Sequence, residues 1–131
     1  MRETIVAYFD TLDGVIRKAA VTDGTGREIG LERGFAIVRD LAHTAHDNGN
    51  MLVFIANGGS QGISSRLAID FSKNGGLRSL AFTDAAALTC LGNDLGYENV
   101  FAKQIDFHAR AGDVLIAISS SGNSPNIING V

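Results

Sequence analysis

Asn57-Gly58-Gly59-Ser60 ends the apolar run Met51-Leu52-Val53-Phe54-Ile55-Ala56, and an amphipathic segment follows at once. A buried strand that breaks into a glycine turn and then a helix leaves backbone N–H groups and a serine hydroxyl at the helix start. The first N–H groups of a helix lack partners within it, and the helix dipole favours negative charge there, so such a place attracts anions. The design recurs once: Val114-Leu115-Ile116-Ala117-Ile118 runs into Ser119-Ser120-Ser121-Gly122-Asn123-Ser124-Pro125. Ser124-Pro125 reads as a helix N-cap followed by the first helical residue, where proline's missing N–H costs nothing. Alone, the second loop is equally well an ordinary serine-rich turn. With the first loop beside it, the residues predict one site for a phosphate-bearing small molecule.

The elements that hold these loops follow from periodicity. Ile5, Phe9, Leu12 and Ile16 predict a helix over residues 3–20. Val21–Gly30 is dense in turn residues and reads as a loop; no strand precedes it, which argues against a glycine-rich phosphate loop. Phe35, Val38, Leu41, Ala42 and Ala45 predict a second helix from Leu31 to Asp47, with Gly49 as its left-handed cap. Strand Met51–Ala56 leads to a helix from about Gln61 to Lys73, and strand Arg78–Thr83 to helical stretches at Asp84–Leu91 and Tyr97–Ala109. Strand Val114–Ser119 then leads to a last helix near Pro125. Short apolar strands alternating with helices imply a parallel sheet covered on both faces, with ligands at the carboxyl ends of its strands. Three strands make a narrow sheet, so either more chain or a partner subunit is expected at its edge.

Composition narrows the partners. The 131 residues carry a formal net charge of −3, with 45% hydrophobic and 19% charged residues. That is one domain's worth of chain, able to build a core. The acidic balance and the lack of a basic run argue against nucleic acid as a partner. No run of about 18 apolar residues is present and the N-terminus has no apolar leader, so no membrane partner and a cytoplasmic location are expected. Cys90 is alone, which excludes an internal disulfide, and its apolar helical setting predicts a buried structural thiol. His43 and His46, three residues apart, lack a third metal ligand and are read as facing solvent; His108, near a helix end, complements the dipole.

Four segments together resemble a known family. They are Asn57-Gly58-Gly59-Ser60; Thr83-Asp84 with Ala87-Leu88-Thr89; Gly92-Asn93-Asp94-Leu95-Gly96-Tyr97-Glu98; and the run from Gly112 to Asn126. The family is the SIS (sugar isomerase) domain, and within it the phosphoheptose isomerases. The resemblance covers nearly the whole chain. It implies a three-layer α/β/α, flavodoxin-like domain with a parallel sheet, here a single domain over 1–131. Two N-terminal helices would form a hairpin over 1–50 and the β/α core would fill 51–131, with the C-terminal part of the family's fold absent. It also implies a homo-oligomer, tetramer or dimer, acting on a small phosphosugar. By motif, Asn57, Gly58, Gly59, Ser60, Asn93 and Asp94 would line the sugar, and Ser119, Ser120, Ser121 and Ser124 would hold the phosphate.

The chain departs from the family where the chemistry is done. The family's metal-ligand histidine, six residues after the loop serine, is Arg66 here, and its glutamate, ten residues after that serine, is Asp70. The remaining glutamine and histidine ligands would lie beyond Val131, and the first glycine of the family's loop is Ala56. Asp70 is then the candidate catalytic base, Arg66 a candidate phosphate contact, and no zinc or other cofactor is expected. Arg66 and Asp70 at i and i+4 read equally well as a surface ion pair. The resemblance therefore implies an aldose–ketose isomerase for sedoheptulose 7-phosphate or a similar phosphosugar, on a route to lipopolysaccharide heptose. A non-catalytic relative, serving as phosphosugar sensor or oligomeric protein-binding scaffold, is the alternative.

Overall fold

A computed structural model describes residues 1–131. The chain forms two compact units, Met1–Asp40 and Leu41–Val131.

The first unit holds helix α1 (Arg2–Arg17) and the start of helix α2 (Leu31–Asp47). Its glycine-dense loop is tied up internally. Asp23 Oδ1 accepts from the Thr25 N–H (2.9 Å), the Thr25 hydroxyl (2.6 Å) and the Arg27 N–H (3.2 Å), and Thr22 bridges Glu28. The Thr25 hydroxyl, followed by these N–H bonds, holds the Asp23 carboxyl below its ordinary value. A loop whose donors are spent on its own aspartate has little left for a phosphate. Gly34 is buried, and a Cβ there would lie 2.6 Å from Val21 Cγ1, so only glycine lets helix and loop approach so closely.

In the second unit, strands β1 (Leu52–Ala56), β2 (Ser79–Ala81) and β3 (Val114–Ile118) form a parallel sheet in the order β2-β1-β3. Helices α3 (Gly58–Lys73), α4 (Ala85–Leu95), α5 (Val100–His108) and α6 (Pro125–Ile128) connect and follow them. All five β1 residues are buried, as a central strand covered on both faces requires. Alternation along β1 splits the core into two clusters. Val53 and Ile55 pack with Phe82, Val100, Phe101 and Ile127; Leu52 and Phe54 pack with Ala42, Ala68 and Leu77. The expected α/β/α layering is present.

Several boundaries differ from the sequence reading. α3 begins at Gly58, not near Gln61, so the glycines form its first turn. β2 spans three residues because only Ser79–Ala81 pair with Leu52–Phe54. α4 runs on to Leu95 and includes Asn93 and Asp94. Cys90 is exposed rather than buried. Leu88 and Leu91 take the core-facing positions of α4, and Cys90 falls about 200° around the helix from Leu88. Its hydrogen bond to Asp94 Oδ2 (3.6 Å), and that residue's charge, push the thiol's pKa up, which opposes thiolate chemistry. His46 does not face solvent either: it is half-buried, and its Nδ1 is buried without a partner.

Asp113 locks the opposite, amino end of the sheet. Its Oδ1 accepts from Met51 N–H (2.9 Å) and Asn50 Nδ2 (3.0 Å), and its Oδ2 from Arg110 N–H (2.7 Å). Burial pushes this carboxyl up, but these donors, led by the Arg110 and Met51 N–H groups, outweigh it and hold the pKa below 3.8. A lowered native value means the carboxylate stabilises the fold fully above pH 3.8, and that contribution fades as pH falls from there through the native value. Asp113→Ala is expected to cost about 1–3 kcal/mol at neutral pH. Urea melts at several pH values should show the difference from the parent chain shrinking below pH 4, roughly.

Candidate functional site

β1 and β3 run side by side to their carboxyl ends, with Ala56 opposite Ile118. The residues that follow, Asn57 and Ser119, therefore leave the sheet as neighbours, one strand spacing of about 4.8 Å apart. This register joins the two serine-bearing loops.

Asn57 is the N-cap of α3, yet its side chain makes no capping bond. It pairs reciprocally with Asn126: Asn57 Nδ2 donates to Asn126 Oδ1 (2.9 Å) and Asn126 Nδ2 donates to Asn57 Oδ1 (2.8 Å). Tyr97 Oη also donates to Asn57 Oδ1 (3.2 Å). Asn126 is buried, so its amide needs partners, and the pair fixes the loop after β1 against the helix after β3. Gly58 opens α3 with φ +50°, a left-handed conformation that glycine adopts without strain. The first intrahelical bond is Gln61 N–H to Asn57 carbonyl (3.1 Å), which leaves the N–H groups of Gly58, Gly59 and Ser60 as unpaired first-turn donors.

The second loop is a cluster of hydroxyls. Ser119 Oγ lies 3.3 Å from Ser124 Oγ and 3.5 Å from Ser121 Oγ, and accepts from the Gly122 N–H (3.1 Å). Ser121 Oγ accepts from the Asn123 N–H (3.2 Å). Ser124 is the N-cap of α6 with Pro125 at its first position, as expected, but its hydroxyl makes no capping bond and pairs with Ser119 instead. Ser120 is exposed. Asn57, Tyr97, Glu98, Ser124, Pro125 and Asn126 line a cavity of about 330 Å³ between the two loops. That is large enough for a small ligand. The cavity of about 480 Å³ along β2 is lined by Ser72, Leu77 and Leu80 among others, and holds none of these residues.

The remaining expected residues sit elsewhere. Asn93 Nδ2 bonds Asp94 Oδ1 (2.8 Å), and Asp94 Oδ2 accepts from Cys90; these bonds stay within α4. Arg66 Nε and Asp70 Oδ2 form the i,i+4 ion pair (2.7 Å), with Asn74 Nδ2 3.3 Å from Asp70 Oδ1. The bond and charge of Asp70 raise the Arg66 pKa. Ten residues of helix separate Ser60 from Asp70, about 15 Å along the axis. No group of three or more histidine, cysteine, aspartate or glutamate side chains converges into a metal site. Arg66, where the resemblance expects a histidine ligand, presents a guanidinium that is already bonded to Asp70.

Tyr97 and Asn126 are the site residues that sequence reasoning did not assign. Both stand inside the motifs already singled out, Gly-Tyr-Glu and Ser-Pro-Asn. Their pairing with Asn57 spans 40 and 69 residues and leaves no local signal.

Comparison with known proteins bears on this geometry. The SIS domain family model matches residues 31–131. The phosphoheptose isomerase of Aliarcobacter butzleri is 43% identical over 88 residues, which is 63% of this chain and 47% of that protein. That of Geotalea daltonii is 38% identical over 113 residues, 82% of this chain and 58% of that protein. The chain thus spans about half the length of the curated relatives it matches. The solved phosphoheptose isomerase from Neisseria gonorrhoeae superposes with a TM-score of 0.81 at 30% identity, over 98% of this chain and 66% of that one. The Francisella tularensis enzyme gives 0.80 at 23% identity, which speaks to the fold alone. No helix is long and apolar enough to cross a membrane. A strand–glycine–helix site on a three-layer parallel sheet, matched by the family model over most of its length, places this chain in the SIS domain family.

Proposed function

We propose that the chain binds a phosphosugar between its two serine-bearing loops and is an aldose–ketose isomerase of the phosphoheptose type. The observation that carries the reading is the joining of these loops by the Asn57–Asn126 amide pair beside the Ser119, Ser121 and Ser124 hydroxyls. In this account the three serines and Ser120 hold the phosphate, each hydroxyl donating to a phosphate oxygen. Asn57, Gly58, Gly59 and Ser60 hold the sugar, with Asn93 and Asp94 at its far end. The substrate is sedoheptulose 7-phosphate or a close analogue, on the way to a lipopolysaccharide heptose. The protein acts in the cytoplasm as a homo-oligomer, dimer or tetramer.

Isomerisation passes through an enediol: a base removes the proton from the carbon beside the carbonyl, and an acid protonates the oxygen. Asp70 is the base in this proposal. It needs no metal, since Arg66 replaces the ligand that a zinc site would require.

A second reading, a binder without turnover, is favoured by the bonds that engage Asp70 with Arg66 and Asn74. Incubation with sedoheptulose 7-phosphate and detection of the isomeric heptose phosphate decides between them. Turnover is expected, lost in Asp70→Asn and unchanged by added zinc or by chelator. Binding without turnover would establish the sensor or scaffold reading. A rate that depends on zinc would contradict the metal-free site.

A further inference from the structure

We infer that Tyr97 determines what the ligand must present to Asn57: an oxygen that accepts a hydrogen bond, rather than an ammonium or other donor-only group. The inference rests on the phosphosugar reading and deepens it at this one contact.

A carboxamide has two acceptor positions on its oxygen and two donor positions on its nitrogen. On Asn57 both acceptor positions and one donor position are taken: Oδ1 accepts from Tyr97 Oη (3.2 Å) and Asn126 Nδ2 (2.8 Å), and Nδ2 donates to Asn126 Oδ1 (2.9 Å). A single N–H remains, on a half-buried side chain that lines the cavity between the two loops. Asn57 therefore meets a ligand as a donor only. Without the tyrosine hydroxyl, Oδ1 would keep an open lone pair, and the same side chain would also accept from a sugar hydroxyl.

Tyr97 is itself held in place. It opens the short turn Tyr97–Asn99. That turn is tied to the end of α4 by the Asn99 N–H on the Gly96 carbonyl (3.0 Å) and by Asn99 Nδ2 on the Leu95 carbonyl (2.7 Å). It is tied to the end of α6 by Asn129 Nδ2 on the Glu98 carbonyl (3.0 Å). Tyr97 is 56% exposed, so Tyr97→Phe opens no cavity in the core. In this account Tyr97 is a positioning residue that acts through Asn57.

The test uses the full chain and sedoheptulose 7-phosphate. In amide proton NMR spectra of the parent chain, one of the two Asn57 Nδ2 protons should shift as the sugar phosphate is added, while the proton held by Asn126 stays. In calorimetric titration Tyr97→Phe should weaken binding about fivefold, the net worth of one hydrogen bond, with the urea midpoint almost unchanged. In an Asn57→Ala background the same substitution should change affinity less than about twofold, since no amide is left to position. Two Asn57 protons that both stay in place would overturn the donor assignment, and the spectra need no Asn57 variant that folds. A loss that persists in the Asn57→Ala background would set Tyr97 against the sugar itself and overturn its action through Asn57. Unchanged affinity in Tyr97→Phe would overturn the inference and leave the phosphosugar site standing. A parent chain that binds no sedoheptulose 7-phosphate would overturn that site and this inference with it.

Discussion

Phe54→Ala is expected to lower the unfolding free energy by about 3–5 kcal/mol. Phe54 is 1% exposed in the central strand and stacks at 5.8 Å from Phe71 of α3, in the cluster that also holds Leu52, Ala68 and Leu77. Removing the ring leaves a cavity between sheet and helix that β1, paired on both sides, cannot collapse to fill. A domain of this size has only about 5–15 kcal/mol to lose, so much of the population should unfold at modest urea. Because Phe54 lies two residues before Ala56, site and core fail together. A midpoint within experimental error of the parent chain would show that this face of β1 is not packed as described.

The second large effect concerns the amide pair. Asn57→Ala and Asn126→Ala should each cost about 1–3 kcal/mol, since each leaves a part-buried or buried amide without its partner. The double variant should cost less than the two together, with a coupling of about 0.5–3 kcal/mol. Asn126→Ala should also weaken phosphosugar binding about tenfold, because it frees the Asn57 side chain that touches the sugar in our account. Additive costs would show that the two amides act independently. Lost stability with unchanged affinity would make the pair a structural clasp only.

The fold was largely legible because its signals are local. β1 and β3 are unbroken apolar runs, the first between Asn50 and Asn57 and the second between Asp113 and Ser119, and such runs between helical segments leave few alternatives to a covered parallel sheet. The errors arose where a local signal met a tertiary demand. Gly58 and Gly59 have poor helix propensity, yet α3 starts there because Asn57 is held by Asn126 and the ladder begins from its carbonyl. β2 looked longer because Arg78–Thr83 is apolar around Leu80, but pairing with β1 extends over only three residues. Cys90 shares an apolar sequence with Leu88 and Leu91 while lying on another side of the helix. In the site, the serine cluster was readable from spacing. The Asn57–Asn126–Tyr97 contact was not, because each partner is a common residue and only the register of β1 with β3 brings them together.

Calorimetric titration with sedoheptulose 7-phosphate and with unphosphorylated sedoheptulose tests the central claim most directly. The account predicts that the phosphorylated sugar binds and its unphosphorylated counterpart binds far more weakly. In Ser121→Ala combined with Ser124→Ala, two hydroxyl bonds to a charged phosphate are lost, about 1.5–3 kcal/mol each, so affinity should fall at least about a hundredfold while the melting curve is retained. Equal affinity for both sugars, or a double variant that binds the phosphosugar as the parent does, would contradict a phosphate site in the serine loop.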